Sequence, residues 1–237
     1  VIAKAYKTDT DLKNDVLSEL NYDPCIFATD ISVLVKDGIV TIHGYAASYG
    51  DKWNAVCAAK RVAGVKSISD DIEVRLPTSK SQSDADIAAA ASNQIAWSTM
   101  IPLNSVEVTV HKGRITLGGE VEWWYQKNAA ENSVTCLPGV NGVSNLISIK
   151  PKLKPTDFES AIVSAFERNA LLDAKKIDVK TSGDKVTLCG EVGCCAERDE
   201  AERIAWAAPG VFSVDNQITV KGSWGVTLDP RLQTAGR

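Results

Sequence analysis

The chain repeats itself three times, and no other feature limits its fold as tightly. Val40-Thr41-Ile42-His43-Gly44 aligns without gaps with Ile115-Thr116-Leu117-Gly118-Gly119 and with Val186-Thr187-Leu188-Cys189-Gly190. A second block follows at the same distance in every copy: Val62-Ala63-Gly64-Val65, Leu137-Pro138-Gly139-Val140 and Ala208-Pro209-Gly210-Val211. Apolar pairs come next, at Ile72/Val74, Ile147/Ile149 and Ile218/Val220. The period is about 70 to 75 residues, too long for a solenoid unit and right for a small domain. A chain of 237 residues holds three of them.

Each copy reads as helix, strand, strand, helix, strand. The first helix places Leu12, Val16 and Leu20 on one face, then Ile87, Ala91 and Ile95, then Phe158, Ile162 and Phe166. A spacing of four keeps such side chains together. Asp9, Ser83 or Asp84, and Thr156 are the expected N-caps. The first strand alternates as Ile31/Val33/Val35, Val106/Val108/Val110 and Ile177/Val179, with one buried face. Hairpin turns follow at Asp37-Gly38, Lys112-Gly113 and Gly183-Asp184, where glycine supplies positive φ. The second helix carries a stripe of mostly small residues: Ala55, Ala58, Ala59 and Val62, then Ala130, Ser133, Val134 and Leu137, then Ala201, Ile204, Ala205 and Ala208. Such a stripe lets a helix lie close to a sheet. The strand–helix–strand crossover joins parallel strands, so a mixed sheet is expected.

The fold class expected is therefore α+β: three tandem small two-layer α/β-sandwich modules, each with a mixed three-stranded sheet. Modules span 8–76, 83–150 and 155–221, and 222–237 is a C-terminal tail with no counterpart in the repeat. The linker Pro77–Gln82 is polar and flexible in composition, whereas Pro151–Pro155 has two prolines and should be extended and stiff.

Composition narrows the function classes. Lys+Arg is 26 and Asp+Glu is 30, giving a net charge of −4. No module is basic, which argues against nucleic acid as a partner. Apolar runs fall short of the roughly 20 residues of a spanning helix, so the chain is not expected to be integral to a membrane. Cys25, Cys57, Cys136, Cys189, Cys194 and Cys195 occupy non-equivalent positions and form no C-x-x-C. A zinc site has little support, and a disulfide framework serving the fold would recur in each copy. Free thiols in a reducing compartment are expected. The start, VIAKAYKTDTD, lacks a basic segment followed by an apolar run, so no signal peptide is expected in it. These observations favour a cytoplasmic location over a periplasmic one.

The strand-turn-strand ending D-G-x-V-T-I-x-G at Asp37–Gly44, the helix ending R-V-A-G-V-K at Arg61–Lys66 and the closing I-x-V at Ile72–Val74 form a pattern. With it, each copy resembles a BON domain, a bacterial module named for osmotic and nodulation proteins. The resemblance covers residues 8–221, with departures in the turns of copies two and three. It implies a non-enzymatic, stress-associated binding protein that contacts phospholipid or the cell envelope, with no cofactor. A related subgroup joins the module to a LysM domain and is linked to potassium. No LysM-like segment is visible here, so a small-ion (potassium) sensor is the weakest implied role.

The residues themselves add little chemistry. Gly44, Gly64, Gly119, Gly139, Gly190 and Gly210 do not form a phosphate-binding motif; they suit strand ends and helix stops. His43 and His111 have no nucleophile or carboxylate partner in view, so no catalytic residue and no metal ligand is named. Lys150, Lys152 and Lys154 suit a solvated linker. The tryptophans are more informative. Trp53, Trp206 and the pair Trp123 and Trp124, placed in the loop before the second helix, align with mainly polar residues in the sister copies. Aromatic side chains there should bury against something outside their own module. That something is a neighbouring module, a phospholipid headgroup region or a protein partner. The leading reading is a binding protein that contacts phospholipid or the envelope; the alternative is a soluble protein-interaction scaffold.

Overall fold

The computed structural model describes residues 7–26, 30–76, 82–150, 158–169 and 171–221. The linker segments 77–81 and 151–157, the expected cap Thr156 and the tail 222–237 lie outside them. Three α+β modules follow one another. The first is α1 (Asp9–Tyr22), β1 (Ile31–Lys36), β2 (Ile39–Ala46), α2 (Tyr49–Arg61) and β3 (Ser67–Val74). The second is α3 (Asp84–Trp97), β4 (Val106–His111), β5 (Arg114–Val121), α4 (Trp124–Thr135), β6 (Gly142–Asn145) and β7 (Ser148–Ile149). The third is α5 (Phe158–Arg168), β8 (Ile177–Ser182), β9 (Lys185–Val192), α6 (Cys195–Ala207) and β10 (Ser213–Val220).

In each module the second strand is central, antiparallel to the first and parallel to the last. Register is the same in all copies: Ile31 pairs with Gly44, Val106 with Gly119 and Ile177 with Gly190. One sheet face is covered by the two helices. Val40 and Ile42, Ile115 and Leu117, and Val186 and Leu188 are buried from the central strands. They meet Leu12, Val16 and Leu20, then Ile87, Ala91 and Ile95, then Ile162 and Phe166 from the first helices. The small stripe of the second helix is buried at Ala55, Ala58 and Ala59, at Ala130 and Val134, and at Ala201, Ile204 and Ala205.

Several local details differ from the sequence expectation. Thr8, not Asp9, caps α1, in a capping box with Asp11. Asp9 instead turns its carboxylate to the hairpin, accepting from the amides of Asp37 and Gly38 at 3.0 and 3.2 Å. Asp84 does the same for Lys112 and Gly113, at 2.8 Å each, while Ser83 caps α3. Both turns have positive φ at both central residues, the I′ pattern. In the third module the order is reversed and only Gly183 has positive φ, which fits II′. The last strand of module two is interrupted at Leu146, where the Leu146 amide still reaches the Leu117 carbonyl at 2.8 Å.

One polar device recurs. Asn145 on β6 donates to the Lys127 carbonyl and to Glu131 on α4, and accepts from the Ile147 amide. Asn216 on β10 repeats this with Arg198, Glu202 and Ile218. In module one Asp70 takes the position, accepting from the Ile72 amide and pairing with Lys52 at 3.0 Å. Each fastens the last strand to the second helix.

Candidate binding site

The three second helices pack against one another, so each meets both of the others. Their contacts run head to tail. At the junction of modules one and three, the start of α6 meets the end of α2. The Gly64 amide donates to the Gly193 carbonyl at 3.0 Å, Lys60 pairs with Asp199 at 2.7 Å, and the Cys195 thiol donates to the Val65 carbonyl at 3.1 Å. Cys195 is 1% exposed and sits in the core of module one. At the junction of modules one and two, the start of α2 meets module two. Tyr49 packs against its core, with its hydroxyl close to the Val143 backbone. Burial raises the Tyr49 phenol above its ordinary range.

Tyr49, Trp124 and Cys195 are equivalent residues, each at the first position of the second helix. The third junction is where Trp124 stands, and among the described residues nothing fills it. Trp123, Trp124 and Tyr125 at the start of α4 face Arg203 and Trp206 near the end of α6 across a cleft of about 600 Å³. This is the size of a small-molecule pocket. Asn128 and Asn132 line its α4 side.

The cleft walls are positioned from within their own modules. Buried Gln126 accepts from the amides of Glu122 and Trp123 at 3.1 and 3.0 Å, which fixes the first turn of α4. Trp123 is thus the N-cap residue, still in the loop before the helix as expected, whereas Trp124 is the first helical one. Trp206 packs against the core of module three. Arg203 is held by Glu200 through two contacts of 2.7 Å. The guanidinium lowers the Glu200 pKa, and Glu200 raises that of Arg203, so both remain charged. The cleft contains no uncommitted charge among its described residues.

A second apolar feature borders it. Met100 lines the cleft and belongs to an exposed edge with Trp97, the last residue of α3, and Leu103 in the loop that follows. Trp97 is 85% exposed, and its counterpart in module one, Tyr22, is 86% exposed. Of the tryptophans singled out in the sequence, Trp123, Trp124 and Trp206 come together. Trp53 is partly exposed and does not line the cleft. Trp97 escaped the reading of the sequence; its alignment with Tyr22, a second aromatic at a helix end, was the available signal.

The remaining chemistry is sparse. All six cysteines are free thiols. Burial raises the pKa of Cys57, Cys194 and Cys195, which disfavours the reactive thiolate. Among the described residues, no cluster of three His, Cys, Asp or Glu is placed to hold a metal, and no helix is long and apolar enough to cross a membrane. Gly44, Gly119 and Gly190 all have positive φ, and a side chain on any of them would strike a carbonyl oxygen at the entrance to the first strand. Gly64, Gly139 and Gly210, also at positive φ, follow the second helices.

Comparison with known proteins gives the same threefold division. The BON domain model matches residues 8–75, 83–151 and 156–222. The chain belongs to the BON-domain family. Osmotically-inducible protein Y of Escherichia coli (strain K12) is 30% identical over 129 residues, which are 53% of this chain and 64% of that protein. The chain thus spans less than two thirds of that relative's length. Among solved structures, CdsD, a structural protein of the type III secretion system of Chlamydia trachomatis, aligns over 89% of this chain and 92% of its own at 13% identity, with a TM-score of 0.25. Its C-terminal domain aligns over 91% of this chain and 100% of its own, again at 13% identity and a TM-score of 0.25. A likeness of that size carries no weight for function.

Proposed function

We propose that this chain is a non-catalytic binding protein of the osmotic stress response that contacts phospholipid or the cell envelope through its BON modules. The observation that carries this is the exposed apolar edge of module two, where Trp97, Met100 and Leu103 stand in solvent. Tryptophan with neighbouring apolar residues is suited to the boundary between headgroups and acyl chains. The family and the osmotically inducible relative supply the stress context. Charge does not drive the contact, because the net charge is −4 and anionic surfaces attract polybasic segments. Free thiols throughout the described chain support a reducing compartment.

Co-sedimentation with phosphatidylglycerol and phosphatidylcholine vesicles, at low and physiological salt, tests the reading. Salt-resistant binding that falls on Trp97→Ala supports it. Absence of binding to both vesicle types sinks it. The alternative is a protein-interaction scaffold, favoured by the mutual packing of all three second helices into one framework. It predicts no vesicle binding.

A further inference from the structure

We propose that the open junction between modules two and three is a site for a neutral saccharide ring. The inference rests on the reading of this chain as a binding protein and adds the chemistry of what it binds. Its starting point is a break in symmetry. The three junctions are built from equivalent residues, and two of them are closed by the chain itself: Tyr49 packs on the core of module two, and Cys195 enters the core of module one. Trp124, at the equivalent position, instead borders about 600 Å³ of open space facing Trp206. A junction that the described residues close twice and leave open once, with tryptophan on both walls, is a place prepared for something those residues do not supply.

The lining selects the class of occupant. Trp124 and Trp206 both line the cleft, and an indole face, apolar with a negative quadrupole, suits the C–H-bearing face of a sugar ring. Asn128 and Asn132 supply side-chain amides, and among the described residues neither amide has a hydrogen-bond partner. An amide both donates and accepts, as a hydroxyl does, so two free amides beside an aromatic wall match a polyhydroxylated ring. A bare acyl chain would cover both amides without satisfying them, which is unfavourable. A phosphate-bearing headgroup finds no free cation among the cleft's described residues, because Arg203 is already engaged by Glu200 through two contacts of 2.7 Å. A neutral, hydroxyl-rich ligand satisfies all three features at once. The volume accommodates one or two rings, free or at the end of a glycolipid.

The test is a titration of intrinsic tryptophan fluorescence of the full chain, checked by calorimetry. The probes are neutral disaccharides built from glucose, galactose, mannose and N-acetylglucosamine, with inorganic phosphate in parallel. The expected result is a saturable change with at least one disaccharide and none with phosphate. Affinity should fall at least about tenfold in Asn132→Leu and in Trp206→Ala, and stay unchanged in Trp97→Ala. Asn132 is exposed, so its variant folds even where loss of Trp206 loosens module three. No response to any disaccharide, a response to phosphate alone, or binding unaltered by Asn132→Leu overturns the inference. Vesicle binding by a protein that ignores sugars leaves the membrane reading standing and removes this one; sugar binding without vesicle binding does the reverse. Vesicles doped with a neutral glycolipid, compared with the free disaccharide, separate the two sources of the ring.

Discussion

A Cβ on Gly119 would lie 2.2 Å from the Ser105 carbonyl oxygen, at a backbone φ of +115°. Neither a shift of that backbone nor a relaxed φ is cheap, so Gly119→Ala should cost at least about 2 kcal/mol. The neighbouring Gly118 has no atom within 4 Å of its virtual Cβ, and Gly118→Ala should stay within about 0.5 kcal/mol. Urea denaturation of the two variants measures both, and equal stability would mean that the close approach is not maintained. The repeat made Gly119 visible as a fixed position. It did not reveal why, because the obstruction comes from the carbonyl before β4, which only the hairpin register brings near. Asn145 was less legible still: a short polar residue within a strand looks like one more solvent-facing position. Its amide in fact ties β6 to α4. Asn145→Ala should therefore cost about 1–2 kcal/mol, read by the same denaturation, since it leaves partly buried groups unpaired.

Elements are joined in this fold by their ends, and there the sequence was ambiguous. Asp9 and Asp84 stand where a cap or a first-turn acid would serve the helix equally well, and sequence alone does not separate the two roles. The structure gives both residues a task outside their helix, holding the hairpin turn of the same module. The backbone amides of Gly113 and Lys112 lower the Asp84 pKa below its ordinary value of 3.8. A carboxylate depressed in the folded state contributes stability that is complete above the unfolded value. That contribution fades as pH falls through the depressed one. Asp84→Asn should therefore unfold at lower urea than the parent at neutral pH. The two midpoints should converge as the solution is acidified below 3.8. A gap that persists at low pH would show that the carboxylate's charge is not what holds the turn.

For the whole molecule, the repeat specified three modules but not how they meet. The alignment marked Trp206 as a surface position because Lys60 and Thr135 are polar, yet Thr135 is buried, its hydroxyl donating to the Glu131 carbonyl. Polarity in one copy describes that copy's surroundings and says nothing of its neighbours, so the repeat does not encode the arrangement of the second helices. Cysteine chemistry can read that arrangement. Cys25 and Cys136 are exposed, while Cys194 and Cys195 are buried. The Cys195 sulfur lies inside module one, at 3.1 Å from the Val65 carbonyl. It is reached only when modules one and three part, and burial keeps it protonated as well. In the native protein, an Ellman-type reagent should label Cys25 and Cys136 quickly and Cys195 slowly, with mass spectrometry assigning the sites. Lys60 and Asp199 bridge the same junction at 2.7 Å, with 36% and 40% of their side chains exposed. A pair so exposed contributes about 0.5 kcal/mol, and Lys60→Glu replaces attraction by repulsion of similar size. Cys195 labelling should then quicken by about two- to fivefold, since opening free energy sets the rate of exposure. The rate at Cys25 should be unchanged. If Cys195 instead labels as fast as Cys25 in the parent protein, modules one and three do not stay docked in solution. The asymmetry between two closed junctions and one open junction would then disappear with them.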